Sequence, residues 1–582
     1  MSSASKSRLA GLGCVFIFLL CALATYPIAE IGITDDWSYV QSARLLAQTG
    51  HLIYNGCATA MVGWQLYLGA LFIKLFGPSF TAIRSSTVLM AMATAFLAHR
   101  TLVRAGVNAG NAFFGTLVLV LSPLFMPLAF TFMTDVGGLF CVVLCLYACL
   151  RALQAKRLRS VLFWLTLAAV TNAVGGTARQ IAWVGVLVMF PCTIWLLRRR
   201  PFVRLAGAAL YFVSILFIVG ILHWFAHQPY SVPEPLFPAS VHWYTITYCL
   251  HEYAHSAASL AMFLLPVLIA FASPAALKNR RAFLLVPAGG LLAIVICDLA
   301  FGPFHVVATR LFPYLGYTIT DRGMLDWPTD RPDRRPILLN YDMRLVSTAC
   351  LLLAAVCFVC FLYLDRQRLH TISPTADQPS WKILLVLLVP FSVAYLALFW
   401  PQAAFVEVYD RYLLPLVFIG ILLLLRLFQD RVRPNLPFAS YVVLFFFTAF
   451  AVAGTHDAFS MFRARNAAIN EVIRAGVPPD TIDGGFEYDA MLQVERYGYL
   501  NNDRVRFPGK IYVDYPNPFP KNCAPDANEG IPVIVPGYSI SWDPHACGGI
   551  SAFAPVEYHQ WLAPHTVTLY IDRTFNGASD KP

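Results

Sequence analysis

The first 455 residues are a succession of apolar runs, many of them long enough for the ~20-residue helix that crosses the hydrocarbon core of a bilayer. Backbone groups in lipid must satisfy their own hydrogen bonds, so runs of this length read as transmembrane helices. A chain that is 58% hydrophobic and 13% charged, with a mean hydropathy of +0.62, is not a soluble globular protein. Its net charge of +10 would suggest nucleic acid in a soluble domain. Here the basic residues stand in short loops, as in Arg198-Arg199-Arg200 and Lys278-Asn279-Arg280-Arg281. That is the positive-inside pattern, so membrane lipids are expected around the chain and no nucleic acid.

The first run, residues 11–29, follows Lys6 and Arg8. It lacks a small-x-small cleavage site before Glu30 and leads into further spans, so it is a retained helix rather than a signal peptide. With the amino terminus in the cytoplasm, this span delivers Asp35-Asp36 to the outer side. Residues 39–48 and 64–76 are too short or too polar to span and suit interfacial helices. Further spans stand near residues 81–102, 112–130, 161–173, 203–225, 256–271, 283–301 and 438–454, with others between them. The basic clusters agree with the alternation at nearly every crossing, and the total is about 13 transmembrane helices.

From His456 the composition changes. Residues 457–475 have the spacing of an amphipathic helix, and short β-like runs come after it near Ile482, 505–513, 531–535 and 567–571. The fold class is therefore an α-helical polytopic membrane protein with a small extracytoplasmic α/β domain. The division expected is 1–455 for the membrane domain and 456–582 for the second. Cys523 and Cys547 are the only cysteines of that second domain and pair if the compartment is oxidising. Cys141, Cys145 and Cys149 form a helical stripe without a nearby His or carboxylate, which suits small core residues better than a metal site.

Several polar groups stand at the outer ends of apolar runs: Asp35-Asp36, Asp135, Arg179-Gln180 and Asp410-Arg411-Tyr412. Ionisable groups gathered at one membrane face are the raw material of an active site. Two acids after a span can simply mark the interface. Alternatively, one accepts a proton from an attacking hydroxyl or amine while its neighbour tunes it or binds a ligand. Asp135, after Thr134, can cap the start of the fourth span or serve a substrate. Arg179 lies in Gly175-Gly176-Thr177-Ala178-Arg179-Gln180, where amides and a guanidinium can together hold a phosphate; an ordinary interfacial arginine is the other reading. Residues 302–342 form a long outer loop mixing Asp321, Arg322, Asp326, Asp330, Arg331, Asp333, Arg334 and Arg335. It reads as a solvated loop or as a flap over the site. The acids have the chemistry to bind a divalent cation, although no tight ligand spacing demands one.

Taken in order, these segments resemble GT-C glycosyltransferases of the group that includes protein O-mannosyltransferases and the aminoarabinose transferase of lipid A. Ile33-Thr34-Asp35-Asp36-Trp37-Ser38-Tyr39 stands where that group carries an acidic pair, and Ala43-Arg44-Leu45-Leu46 comes after it. Trp64-Gln65-Leu66-Tyr67, the Ser122-Pro123 break before Phe132-Met133-Thr134-Asp135, Arg179-Gln180 and Asp410-Arg411-Tyr412-Leu413-Leu414-Pro415 come in the group's order. The resemblance is strongest over residues 30–200, and the second acid is Asp where Glu is more usual.

The resemblance implies a polyprenyl-phosphate-linked sugar donor and transfer with inversion to a lipid, polysaccharide or protein acceptor. It implies a bacterial inner (plasma) membrane, with the site and the carboxyl end in the periplasm. Asp35 is then the base, and Asp36 supports it or orients the acceptor. Asp135 positions donor or acceptor, Arg179 neutralises the departing phosphate, and Gln180, Asp410, Arg411 and Tyr412 bind substrate. The rival reading is a transporter or flippase of lipid-linked saccharides, which predicts mid-membrane ionisable groups and paired halves; no clear repeats are visible. A non-catalytic assembly protein would leave the acidic pair unexplained.

Overall fold

A computed structural model describes residues 3–57, 60–233, 241–277, 285–290, 292, 311–326, 335–365, 379–399, 408–505, 507–510, 512–513, 531, 535, 537–545 and 549–574. Most of the ninth expected span lies outside the described residues, as do Cys523, Cys547 and the Lys278–Arg281 cluster. Among the described residues, eight helices are long and apolar enough to cross a bilayer. A ninth is the bent pair Trp243–Phe263 and Leu265–Ala272, angled by 63°. Shorter apolar helices, Ala109–Val120, Gln180–Leu196 and Trp381–Ala397, stand at the third, sixth and eleventh expected spans. Every expected crossing except the ninth thus has a helix in place, and the chain is a multi-pass membrane protein.

The amino-terminal half is built from α1 (Ser3–Thr25), α2 (Asp36–Thr49), α3 (Gly63–Phe76), α4 (Phe80–Arg104), α5 (Ala109–Val120), α6 (Phe125–Leu128), α7 (Thr134–Gln154) and α8 (Leu158–Gly175). Local chemistry sets their ends. Ser79 and Asn108 accept hydrogen bonds from Ala82 N (3.0 Å) and Asn111 N (2.8 Å), capping α4 and α5. Pro123 has no amide to donate, and Ser122 Oγ instead accepts from Phe125 N at 3.0 Å, so the third span breaks between α5 and α6. The cysteine stripe is core: Cys141, Cys145 and Cys149 are buried. A Cβ on Gly175 would lie 2.4 Å from Cys141 Sγ, so glycine lets α7 and α8 approach closely.

The interfacial helices are stitched to the outer ends of the spans. Gly63 N donates to Thr177 O (2.8 Å) and Val62 N to Ala178 O (3.2 Å). Gln65 Nε2 donates to Phe132 O and Met133 O, both at 3.1 Å. These bonds bring residues 175–180, the start of α7 and the first outer loop to one place.

Two expectations about the second half change. The loop 302–342 contains, in its described part, an antiparallel hairpin of β1 (Tyr317–Thr320) and β2 (Gly323–Asp326), in register Ile319 with Met324. It is buried rather than solvated, because Ile319, Met324 and Leu325 are apolar and find partners. Met324 packs so closely on Gly454 that a Cβ there would sit 2.8 Å from its Cε. The last span and the amphipathic helix expected after it are one helix, Phe438–Arg474, of 37 residues. At ~1.5 Å per residue it is about 55 Å long, against roughly 30 Å of hydrocarbon, so about 25 Å stands beyond the core. The change of composition at His456 falls inside it, and nothing there interrupts the helical hydrogen bonding.

The carboxyl-terminal strands are β3 (Ile482–Asp483), β4 (Tyr538–Ser541), β5 (Ile550–Ser551), β6 (Val556–His559) and β7 (Thr566–Arg573). Their order is β3-β4-β7-β5, with β6 pairing to the other part of β7; β3 and β4 are parallel. The β-like run 505–513 is not strand in its described residues, whereas those at Ile482 and 567–571 are. The helix Phe486–Tyr497 rests on α2, with the Phe486 and Trp37 rings edge to face at 6.1 Å. The sheet is fastened to the long helix by Asp457, whose two oxygens accept from Trp561 N (2.7 Å) and Leu562 N (3.0 Å) while His456 stacks on Trp561 at 3.8 Å.

Replacing Asp457 with Ala orphans both amides, a loss of about 1–3 kcal/mol for each buried donor left unpaired. Limited proteolysis of the detergent-purified Asp457→Ala protein should release the strand region sooner than in wild type. An unchanged cleavage rate would mean that the sheet is held by other contacts.

Candidate active site

Residues 26–35 run from the end of α1 to the start of α2; Arg463 of the long helix donates to Tyr26 O (2.8 Å) and Ile28 O (3.3 Å), and a second arginine holds the part next to Asp36. Arg84, buried on α4, donates from Nη1 to Ala29 O and from Nη2 to Ile31 O, both at 2.7 Å. The same guanidinium grips Asp36 at both oxygens, Nε to Oδ2 at 2.8 Å and Nη2 to Oδ1 at 3.1 Å. This is the bidentate geometry in which an arginine–carboxylate pair is strongest and most directional. Asp36 also accepts from Ile33 N (2.8 Å) and Phe132 N (3.2 Å) and is 0% exposed. Neither of its oxygens is left for a substrate.

Asp35 lies the other way. Thr34 before it has a positive φ of 54°, and Asp35 itself, with φ −84° and ψ 1°, stands just ahead of the helix whose first residue is Asp36. The Asp35 side chain is 32% exposed. Its Oδ2 accepts from the Tyr317 hydroxyl at 3.1 Å and faces Arg411 Nη2 at 3.5 Å. Burial pushes the Tyr317 hydroxyl well above its ordinary pKa, so it stays protonated and donates.

Arg411 comes from the one-turn helix Asp410–Leu413 that opens the twelfth span. Its guanidinium stacks over the Tyr317 ring at 3.7 Å and lies 5.1 Å and 5.6 Å from the Tyr409 and Tyr412 ring centres. Such cation–π contacts hold a desolvated guanidinium without using its hydrogens. Arg411 Nε and Nη1 accordingly have no hydrogen-bond partner among the described residues.

Arg179 reaches Tyr412 from the opposite element, its Cζ 4.7 Å from the ring centre. It pairs with Asp135 Oδ1 at 3.2 Å and donates to Thr134 Oγ1 at 3.1 Å. Burial is the largest influence and works against its charge, yet Asp135, Tyr412 and Tyr395 together outweigh it and hold its pKa above the ordinary guanidinium value. A Cβ on Gly138 would be 3.2 Å from Arg179 Cδ, so the first turn of α7 makes room for this side chain. Asp135, Arg179, Arg411, Tyr395, Leu414 and Pro415 line one cleft.

The remaining expected site residues are distributed around it. Gln180 is half-buried and opens the turn Gln180–Trp183 beside Arg179, and both arginines lie near the Tyr412 ring, at 4.7 Å and 5.6 Å from its centre. Asp410 is 1% exposed and faces the hairpin rather than the cleft, accepting from Thr318 N (3.1 Å) and Ile319 N (3.0 Å). Among the described residues no three His, Cys, Asp or Glu side chains gather as a metal site. Asp36 and Asp410 already hold an arginine or backbone amides, and Asp135 is paired with Arg179.

Two residues of the site escaped the sequence reading. Arg84 carried a usable signal, since a guanidinium inside an apolar span is a functional or structural marker by the same rule applied to the acids. Tyr317 carried none, because tyrosines are ordinary at membrane interfaces.

No family model matches the chain, and no curated protein matches it. Solved structures similar to it include ArnT from Cupriavidus metallidurans bound to undecaprenyl phosphate, at 12% identity over 98% of this chain and 99% of that one, with a TM-score of 0.35. The archaeal oligosaccharyltransferase AglB from Archaeoglobus fulgidus, in complex with an inhibitory peptide and a dolichol-phosphate, is 13% identical over 88% of this chain and 61% of that one, with a TM-score of 0.41. The S. cerevisiae protein O-mannosyltransferase Pmt1-Pmt2 complex bound to the sugar donor is 12% identical over 37% of this chain and 32% of that one, with a TM-score of 0.30. This chain thus spans about a third of that yeast chain's length. At TM-scores of 0.30 to 0.41, none of these likenesses assigns an activity to this chain.

The two adjacent acids should separate experimentally. Asp36→Asn leaves the Arg84 guanidinium buried without its counter-charge, a loss of about 3–5 kcal/mol. It should lower the melting temperature sharply or prevent recovery of monodisperse protein. Asp35→Asn, at a partly exposed position, should melt close to wild type; equal destabilisation by both would contradict the division of roles.

Proposed function

We propose that this protein is a glycosyltransferase that moves a sugar from a polyprenyl-phosphate-linked donor to an acceptor at the outer face of the membrane. One observation carries the reading. A partly exposed carboxylate, Asp35, touches Arg411, which together with Arg179 lines one cleft, and both guanidiniums lie near the Tyr412 ring.

Each group contributes the chemistry its position allows. An acceptor hydroxyl or amine attacks the anomeric carbon on the face opposite the phosphate, and Oδ1 of Asp35, which has no hydrogen-bond partner among the described residues, takes its proton. The bond from the anomeric carbon to the phosphate oxygen breaks, and the phosphate leaves with the electron pair. Arg179 and Arg411 stabilise the negative charge that develops there, in a cleft where preorganised donors count for more than in water. A single displacement inverts the anomeric configuration, whether the sugar is a hexose or a pentose. Asp135 keeps Arg179 aimed at the cleft, Tyr412 lies against both arginines, Gln180 stands next to Arg179, and Asp36 acts through the loop that presents Asp35. A lipid donor also accounts for the many spans, since its isoprenoid tail stays in hydrocarbon while the sugar reaches water. The same proposal puts the site, and residues 456–582 as an extracytoplasmic domain, on the periplasmic side of a bacterial inner membrane. The acceptor is a lipid, a glycan or a protein.

The test is transfer by the purified protein from polyprenyl-phosphate sugars to membrane-extract acceptors, with products monitored by mass spectrometry. Asp35→Asn should abolish product while the protein stays folded, and Arg179→Ala should lower kcat by about 10²–10³-fold, the usual cost of losing one such donor. Full transfer by Asp35→Asn would sink the mechanism. Movement of donor across liposomes without any product would favour a flippase.

A further inference from the structure

We infer that Tyr317 is a positioning residue for Asp35: its hydroxyl, together with Arg411, holds Oδ2 so that Oδ1 alone is presented to the acceptor. The inference rests on the function proposed above and names a residue that no site motif in the sequence contains.

The hydroxyl donates to Oδ2 at 3.1 Å, and Arg411 Nη2 approaches the same oxygen at 3.5 Å. Two donors on one oxygen stop rotation of the carboxylate about its Cβ–Cγ bond. A base that must meet a proton in one direction gains from that fixation, because small errors of placement are costly in rate. The same tyrosine ring lies 3.7 Å beneath the Arg411 guanidinium, so one side chain touches both the base and a phosphate-facing cation.

Tyr317 is itself held firmly. It is 2% exposed and stacks on Tyr409 with ring centres 5.0 Å apart. Its φ of 101° is a costly conformation for a bulky residue and persists only where the surroundings dictate it. The surroundings here are the carboxylate of Asp410, which takes the amides of Thr318 and Ile319, and the Asp410 amide, which donates to Gly316 O at 3.4 Å. Asp410 is therefore joined through the hairpin to Tyr317 and through Tyr317 to Asp35. An acid that the sequence suggested as a substrate ligand sits at the root of this chain of contacts and never faces the cleft.

Tyr317→Phe removes the hydroxyl and keeps the ring over Arg411. Per folded molecule, kcat should fall about tenfold, with the donor KM within about twofold of wild type; a well-placed intramolecular group is worth at least that much. Tyr317→Leu also uncovers Arg411 and should raise the donor KM as well. A merely structural tyrosine would lower yield and melting temperature but leave kcat per folded molecule unchanged, and that result would overturn the inference.

A second readout needs no activity. In a thermal-unfolding cycle of Tyr317→Phe with Asp35→Ala, the double variant should lose less than the sum of the single losses, since both remove the same hydrogen bond. Additive losses would overturn the inference even if the enzyme were active. Absence of transfer by wild type with coupled losses in the cycle would instead refute the proposed function and leave the Tyr317–Asp35 link standing.

Discussion

Everything at the outer face of this protein is referred to the buried pair of Arg84 and Asp36. A buried ion pair seldom adds much net stability, because desolvating both charges consumes most of the attraction. What it supplies here is a fixed geometry. Arg84 binds two backbone carbonyls as well as the carboxylate, and Asp36 binds two backbone amides as well as the guanidinium. A connecting segment with few hydrogen bonds of its own is thereby tied to the helices on either side of it. Asp35 inherits its position from a neighbour that is itself fully buried.

Around that anchor the site is assembled from distant parts of the chain. Residues 29–36 supply the carboxylate, residues 134–138 and 175–180 supply Asp135 and Arg179, and residues 316–320 with 409–412 supply Tyr317 and Arg411. Small residues permit the convergence: Gly63 lies against Thr177, and Gly138 lies against Arg179. The aromatic rings do more than fill space. Tyr317 and Tyr412 hold two like-charged guanidiniums in one cleft, where Coulomb repulsion would otherwise drive them apart and where a bound anion would relieve it.

The spans were legible in the sequence because hydrocarbon thickness dictates their length, and the site region was legible because ionisable groups marked their outer ends. The roles of Asp35 and Asp36 were not. Adjacent carboxylates are chemically alike, and what tells them apart is their partners, Arg84 and Phe132 for one and Tyr317 and Arg411 for the other, which stand far away in the sequence. The hairpin at 317–326 was hidden for a related reason, since its contact with Asp410 runs through backbone amides that every residue possesses. The long helix Phe438–Arg474 was read as two because its lipid-facing part and its amphipathic part differ in composition, although a helical backbone continues regardless of which solvent surrounds it. Arg84 was legible by the intramembrane-charge rule and was passed over among the more conspicuous outer acids.

That long helix also sets a phase. Met324 of the hairpin bears on Gly454 and Thr455, and the turn at Trp561 bears on His456 and Asp457. Both contacts thus fall within a single turn of one continuous helix. Each residue added to a helix rotates the remainder of the rod by about 100° and lifts it by ~1.5 Å. A single insertion between Gly454 and Asp457 would carry the sheet to another side of the rod while the hairpin stayed where it was. The hairpin that reaches Asp35 and the sheet fastened at Asp457 are in this sense geared together through that one turn.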